Sequence, residues 1–415
     1  MATHDIRIRR SRRAPVLVTV AASVVLASLA APSLAGTMAV STAAQLQAAV
    51  NAANNAGGNT TILLADGTYT LSDTLYVNVP NVTIQSQSGV REHVIIEGDA
   101  MSASAKVGNV IRVAASNFTL AGVTLRKSGW HLIQVAGELG AQAPVIRNCI
   151  LRDAYEQMLK VSNDPTLPAM HSDGGLVENC LFEYTAGIGP QYYIGGIDAH
   201  AAHGWTVRGN TFRSIISPSA SVAEFAVHFW DGSADNTVEK NLIVNCDRGI
   251  GFGLDGQGNQ RGVVRNNMVF RAASAAGPFA DVGIALIDSP SSSAYNNTVV
   301  LEDGFGWTIE YRFSDTTGVL IANNLTNKQI LNRDGASATL QTNVTNAADA
   351  WFVSVSTPDL HLASAVAAVV GRGTAVAGLV DDYDGDPRSS GAVDIGADQF
   401  GRTLTPNPPT NLIVR

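Results

Sequence analysis

The chain has 415 residues, 46% of them hydrophobic and only 15% charged, and a formal net charge of −8. It is long enough to bury a large core, and past its first residues it has no basic stripe, which excludes a nucleic-acid partner. Three cysteines are too few for a disulfide framework.

Residues 1–35 read as an export signal. Arg7, Arg9, Arg10, Arg12 and Arg13 form a positive head, an apolar run extends from Ala14 to Ala31, and Ser33-Leu34-Ala35 offers small residues for cleavage. The expected product is secreted, periplasmic or held at the cell surface, without a transmembrane segment in the mature chain. Over 36–60, "STAAQLQAAVNAAN" offers Thr42 and Gln45 as a capping box and an apolar stripe of Leu46, Ala49, Val50 and Ala53. This predicts a helix lying over the first coil of a repetitive body.

From 61 to 345 one phrase recurs: "VIRNCIL", "LVENCLF", "TVRGNTF", "TVEKNLI", "VVRNNMVF", "SAYNNTVV", "LIANNLT". Its asparagines, Asn148, Asn179, Asn210, Asn241, Asn267, Asn297 and Asn324, are separated by 31, 31, 31, 26, 30 and 27 residues. A constant phrase with a variable period is the pattern of coils whose loops differ in length around one constant turn. The fold class is therefore all-β, a parallel β-solenoid with an N-terminal capping helix and an irregular C-terminal cap. Asparagine tolerates left-handed backbone and can bond its counterpart one coil away, which predicts an internal ladder. Cys149 and Cys180 fall at equivalent positions of neighbouring coils, where stacked side chains are poorly aimed for a bridge, so free thiols are expected.

A second strand precedes each phrase: "MLKVS", "GIDAHA", "AVHFWDG", "GIGFGLDG", "GIALIDS", "TIEYRFSD". Alternation sends Leu159, Val161, Ile197, Ala199, Val227, Phe229, Ile250, Phe252, Ile284, Leu286, Ile309 and Tyr311 inward. Lys160, Asp198 with His200, His228 with Trp230, Gly251 with Gly253, Ala285, and Glu310 with Arg312 then face outward. Residues 346–400 break the period and read as a closing segment, with Asp381 to Asp386 as a turn rather than a complete calcium loop. Residues 401–415 read as a linker-like tail.

With these features the chain resembles the right-handed parallel β-helix proteins of the pectate-lyase superfamily over about residues 40–400. "ILLADGTYTL" and "NVTIQSQSG" are similar to the first coils of chondroitinase B and related alginate lyases. "DYDGDPRSSGAVDIGADQF" resembles the ending of surface-anchored bacterial β-helix proteins. The resemblance implies the fold, while the superfamily spans lyases, hydrolases, epimerases and binding proteins. In the chondroitinase and alginate lyase group a lysine on one coil is the base and an arginine on the next assists it, beside a calcium ion. By that resemblance His200 falls near the lysine, and His228 and Trp230 fall near the arginine. The calcium-binding glutamates have no match here, so no metal or other cofactor is expected.

The residues themselves point to proton transfer. Five histidines lie between 131 and 228, and histidine titrates near neutrality. Coils stand about 4.8 Å apart, so His200 and His228 can face one sugar unit. Eliminating across a uronic acid requires a base, a group to neutralise the carboxylate and a proton donor for the leaving oxygen. His200 is the candidate base and His228 a second base or neutraliser, with Tyr193 (or its neighbour Tyr192) as donor. Lys160, Arg248, Asp198 and Trp230 are the candidate substrate contacts, with Gly249, Gly251 and Gly253 leaving a trough beside them. The plain alternatives are surface histidines bonded to loop carbonyls, as His131 and His203 are read, a solvated Lys160, Trp230 as a plug under a loop, and an Arg248–Asp247 ion pair. The expected function is lysis of an acidic polysaccharide by a monomer. The alternatives are a glycan-binding or structural surface protein, a glycoside hydrolase using Asp198, Glu224 or Asp231, and a zinc site of Asp198, His200 and His228.

Overall fold

The computed structural model describes residues 36–388 and 393–401. The export signal read over 1–35 and the tail read over 401–415, Gly401 apart, lie outside the described residues. The helix forms over Ala43–Ala56, with Thr42 Oγ1 accepting the Gln45 amide at 3.2 Å. Gln45 Oε1 reaches back to the Ser41 amide at 2.8 Å, one residue earlier than in a standard capping box. The stripe of Leu46, Ala49, Val50 and Ala53 is buried, and the helix stops at Gly57, in the left-handed conformation (φ 80°) that glycine adopts without strain.

The rest of the described residues form a parallel β-solenoid of three long sheets with 12, 10 and 10 strands and a short fourth sheet of four, followed by an antiparallel pair, Phe352–Ser354 with Asp359–Leu362. In the second sheet Leu159–Ser162, Ile197–His200, Phe225–Trp230, Arg248–Phe252 and Ile284–Ile287 are successive rungs from successive coils. Every side chain assigned inward on these rungs is at most 6% exposed and belongs to one continuous core. Stacking between coils continues inside, as in the Phe182–Phe212 pair with ring centroids 4.6 Å apart.

The asparagine phrase resolves into two adjacent columns. Strand register aligns Arg147, Glu178, Arg208, Glu239, Arg265, Tyr295 and Ala322. The next residue in each coil is the left-handed one, with φ of 51° at Asn148, 54° at Asn179, 63° at Gly209 and 56° at Lys240. The residue after that forms the ladder. Asn210, Asn241, Asn267, Asn297, Asn324 and Asn343 pass Nδ2–H to Oδ1 along the stack at 2.9–3.0 Å. Asn148 and Asn179 therefore belong to the turn column, and the first two ladder rungs are Cys149 and Cys180. The thiols imitate the amides: Cys180 Sγ lies 3.6 Å from the Ile146 carbonyl and accepts the Cys149 amide at 3.4 Å. All three cysteines are free and buried.

The C-terminal segment lies along the outer face of the third sheet. Phe352, Leu360, Leu362, Val369 and Ile395 pack on Leu242, Met268, Phe270 and Val300, the outward residues of those strands. Asp382 Oδ1 accepts the Asp384 and Asp386 amides at 3.0 and 2.8 Å, so the acidic run is a tight turn. Among the described residues no helix is long and apolar enough to cross a membrane.

Candidate functional site

Inward Ile197 and Ala199 force Asp198 and His200 to the outer face of the second sheet, and Val227 and Phe229 do the same for His228 and Trp230. Register puts Lys160, Asp198 and His228 in one line across three coils and sets His200 opposite Trp230 in the parallel line. The sequence-derived register is thus correct. Outward is nevertheless not exposed: Lys160, Asp198 and His228 show 8%, 2% and 0% of their surface.

Their cover comes from rings and one loop. Trp230 stacks on His228 (centroids 5.3 Å apart, planes within 6°) and meets His200 edge-on at 4.3 Å. Asn163, at the start of the loop after Leu159–Ser162, approaches from above. Its Oδ1 lies 3.1 Å from His200 Nδ1 and its Nδ2–H donates to Asp231 Oδ2 at 2.9 Å.

Lys160 Nζ is 2.5 Å from Asp198 Oδ2 and 2.7 Å from His200 Nε2. An ammonium only donates, so the His200 proton sits on Nδ1, facing Asn163 and, at 3.4 Å, Asp231. Trp230 Nε1–H donates to Asp198 Oδ1 at 2.6 Å. Burial works to raise the Asp198 pKa, but His200, Lys160 and His228 overcome it and hold the carboxyl well below the usual range. His228 gives Nε2–H to the Gly253 carbonyl at 3.0 Å and turns Nδ1 toward Glu224 and Asp198, at 3.5 and 3.9 Å. Glu224, although burial opposes it, is held ionised by His228 and Arg248.

The remaining predicted residues fall around this cluster. Tyr193 is 42% exposed, and burial, then the charge of Asp198, pushes its phenol up. Arg248 pairs with Asp281 at 3.0 Å, not with Asp247, and its guanidinium lies 5.1 Å from the centre of the Phe225 ring. The trough expected at the glycines is filled. A Cβ on Gly251 would sit 2.6 Å from the Phe225 ring, and one on Gly249 would sit 2.1 Å from the Gly283 carbonyl. His131 bonds a loop carbonyl, that of Gln157, at 3.0 Å, in keeping with its plain reading, and burial takes its pKa down to about 4. Asp198, His200 and His228 do not form a zinc site, because Lys160 and Trp230 already take both Asp198 oxygens and Lys160 takes His200 Nε2.

Three participants escaped the sequence reading. Asn163 follows a strand end, and only the fold shows which way its loop turns. Glu156 and Gln157 lie just before Leu159–Ser162. Burial raises the Glu156 pKa, and the fully buried Gln157 amide acts on the Tyr193 phenol. The cue available was position alone, since each stands within four residues of Lys160.

Comparison with known proteins gives a family match over part of the chain. The model of the periplasmic copper-binding protein (NosD) family matches residues 172–345. No curated protein sequence matches the chain. Among solved structures, pectate lyase Pel9A is 14% identical, with 84% of this chain and 90% of that one covered at a TM-score of 0.49. The alginate lyase of Paenibacillus sp. str. FPU-7 is 14% identical over 75% of this chain and 99% of its own, with a TM-score of 0.44. A polysaccharide lyase of family PL6 from Pseudopedobacter saltans is 14% identical over 86% and 99%, with a TM-score of 0.43. None of these likenesses assigns an activity to this chain.

Proposed function

We propose that the protein is an exported polysaccharide lyase that cleaves an acidic, uronic-acid-containing polymer by β-elimination at the cluster around His200. The observation that carries this reading is the Lys160 ammonium shared between Asp198 and His200 Nε2. Two of its three N–H bonds go to these partners, and the third can receive a substrate carboxylate. As Lys160 moves onto that carboxylate it uncovers the Nε2 lone pair. His200 then takes the proton from the carbon beside the carboxylate, and that C–H electron pair becomes the new C=C bond. The C–O bond to the leaving sugar breaks, and its oxygen takes the Tyr193 proton. The positive charge arriving on His200 is met by Asp231 and Asp198.

Burial gives His228 and Asp198 supporting roles, and the ion pair with Asp281 gives Arg248 one. His228, fixed on the Gly253 carbonyl, backs the Trp230 ring, Asp198 anchors Lys160 and Trp230, and Arg248 buttresses Phe225. The family description supports a periplasmic setting. It also names copper, which Asp198, His200 and His228 are too fully engaged to hold.

One observation favours hydrolysis as a second reading. Burial raises Glu156 while His228 and Arg248 hold Glu224 down, and both act on Tyr193. Such a split supplies the acid and the base that glycoside hydrolysis requires. A panel of polyuronates, assayed for ultraviolet-absorbing unsaturated ends and for reducing ends, separates the two. Lysis yields both signals together. Reducing ends without unsaturation, lost in Glu224→Gln, establish hydrolysis, and polymer retention without cleavage establishes a binding protein.

A further inference from the structure

Away from this cluster, the fourth sheet pairs Ser172–Asp173 with Ala202–His203, setting Asp173 opposite His203, and His171 stands two residues before Asp173. His171 Nδ1 lies 2.7 Å and His203 Nδ1 3.4 Å from the same Asp173 oxygen, Oδ1, and the ring centroids are 4.3 Å apart. All three side chains are partly exposed. The backbone beneath them is clamped by one side chain: Gln142 donates to the His171 carbonyl at 2.5 Å and accepts the Asp173 amide at 2.8 Å.

The tautomer of His203 is informative. Its Nε2 is 3.0 Å from the Gly232 carbonyl, which only accepts, so the hydrogen sits on Nε2. The neutral ring then aims its Nδ1 lone pair at a carboxylate oxygen, a repulsive arrangement unless a cation lies between them. A proton could fill that gap only by turning the His203 ring into a cation packed against the His171 ring, which itself can donate Nδ1–H to Asp173 while neutral. A ligating histidine that gives its other N–H to a backbone carbonyl is the usual outer-shell arrangement at metal sites. Donors at the observed spacing suit an ion bound at about 2.0–2.2 Å.

We propose that His171, Asp173 and His203 bind a divalent transition-metal ion of the imidazole-preferring class. The site ligates through two Nδ1 atoms and one carboxylate oxygen, leaving a tetrahedral ion's fourth position to solvent. It lies at the root of the loop that begins at Asn163, so a bound ion fastens the loop that covers His200. The other cluster of suitable donors among the described residues, His361, Asp384 and Asp398, lacks this conflict. His361 donates from both nitrogens, to Asp359 at 2.5 Å and to Asp384 at 3.0 Å, and needs no ion.

The test is titration of metal-free protein with Zn²⁺ by calorimetry and with Cu²⁺ by electron paramagnetic resonance. One ion per chain is expected, with hyperfine coupling to two imidazole nitrogens. Affinity should fall about tenfold or more in His203→Ala and His171→Ala and stay unchanged in Asp384→Asn. Should an alanine variant misfold, Asp173→Asn, which keeps the side chain's size at a partly exposed position, decides in its place. No stoichiometric binding by the parent protein, binding that survives these substitutions, or binding that Asp384→Asn removes would each overturn the assignment.

Discussion

Lys160 Nζ and His200 Nε2 lie 2.7 Å apart on neighbouring coils, each held by a carboxylate of its own: Asp198 for the ammonium, Asp231 for the far side of the ring. The solenoid sets this spacing, because strands one coil apart stand at a fixed separation. A lysine and a histidine aligned this way can exchange roles at a substrate without moving the backbone.

Asp231→Asn removes the charge that supports the protonated ring while keeping the bond to Asn163 feasible. Turnover should drop about 10- to 100-fold, less than the loss of the acid or base itself would cost, with KM little changed. A parallel change in KM and kcat would show that Asp231 acts on substrate directly.

Lys160→Met strands a buried carboxylate at Asp198. Breaking a buried pair by removing one partner costs about 3–5 kcal/mol, read as a lower urea midpoint at unchanged slope. Lys160→Met combined with Asp198→Asn should regain most of that loss while remaining inactive, since the double variant buries no lone charge. A single variant as stable as the parent would mean that water reaches Asp198.

Asn267 is an interior rung, accepting from the Asn241 side chain and backbone amide through Oδ1. Asn267→Leu leaves both donors unsatisfied in the core and should cost about 3 kcal/mol or more. Asn343→Leu, at the ladder's end and only partly buried, should cost less. Thermal melting of the two variants ranks them.

Two histidines predict opposite pH limbs of stability. Burial depresses His131 to about 4, so its contribution is complete above its ordinary value near 6.5 and is lost as pH falls toward 4. His361, where hydrogen bonds to Asp359 and Asp384 outweigh burial, is raised to about 10. Its contribution is complete below 6.5 and is lost as pH rises toward 10. In melting curves across pH, His131→Asn should flatten the acid limb and His361→Gln the alkaline limb. An alkaline limb unchanged in His361→Gln would remove it from the C-terminal segment's stability.

The coil architecture, the capping helix and the facing of every second-sheet side chain were legible because period-two alternation and a repeated turn phrase are local signals. Ladder membership was off by one residue in the first two coils, since asparagine serves both the left-handed turn and the rung beside it, and cysteine can replace it on the rung. The cover over His228 and Lys160 was not legible, because it depends on where the loop carrying Asn163 and the rings of Trp230 and Phe225 come to rest. The same limit hid the pairing of His171 with His203. A strand of two residues has no period to read, and His203 by itself looks like any surface histidine.

The most direct test of the central claim compares the parent protein with His200→Ala on a uronic-acid polymer, following the ultraviolet absorbance of the unsaturated ends. The account predicts steady growth of that absorbance with the parent and a loss of about 100-fold or more with His200→Ala, the two proteins melting alike. Equal rates from both, or polymer cleaved into saturated ends, would contradict it.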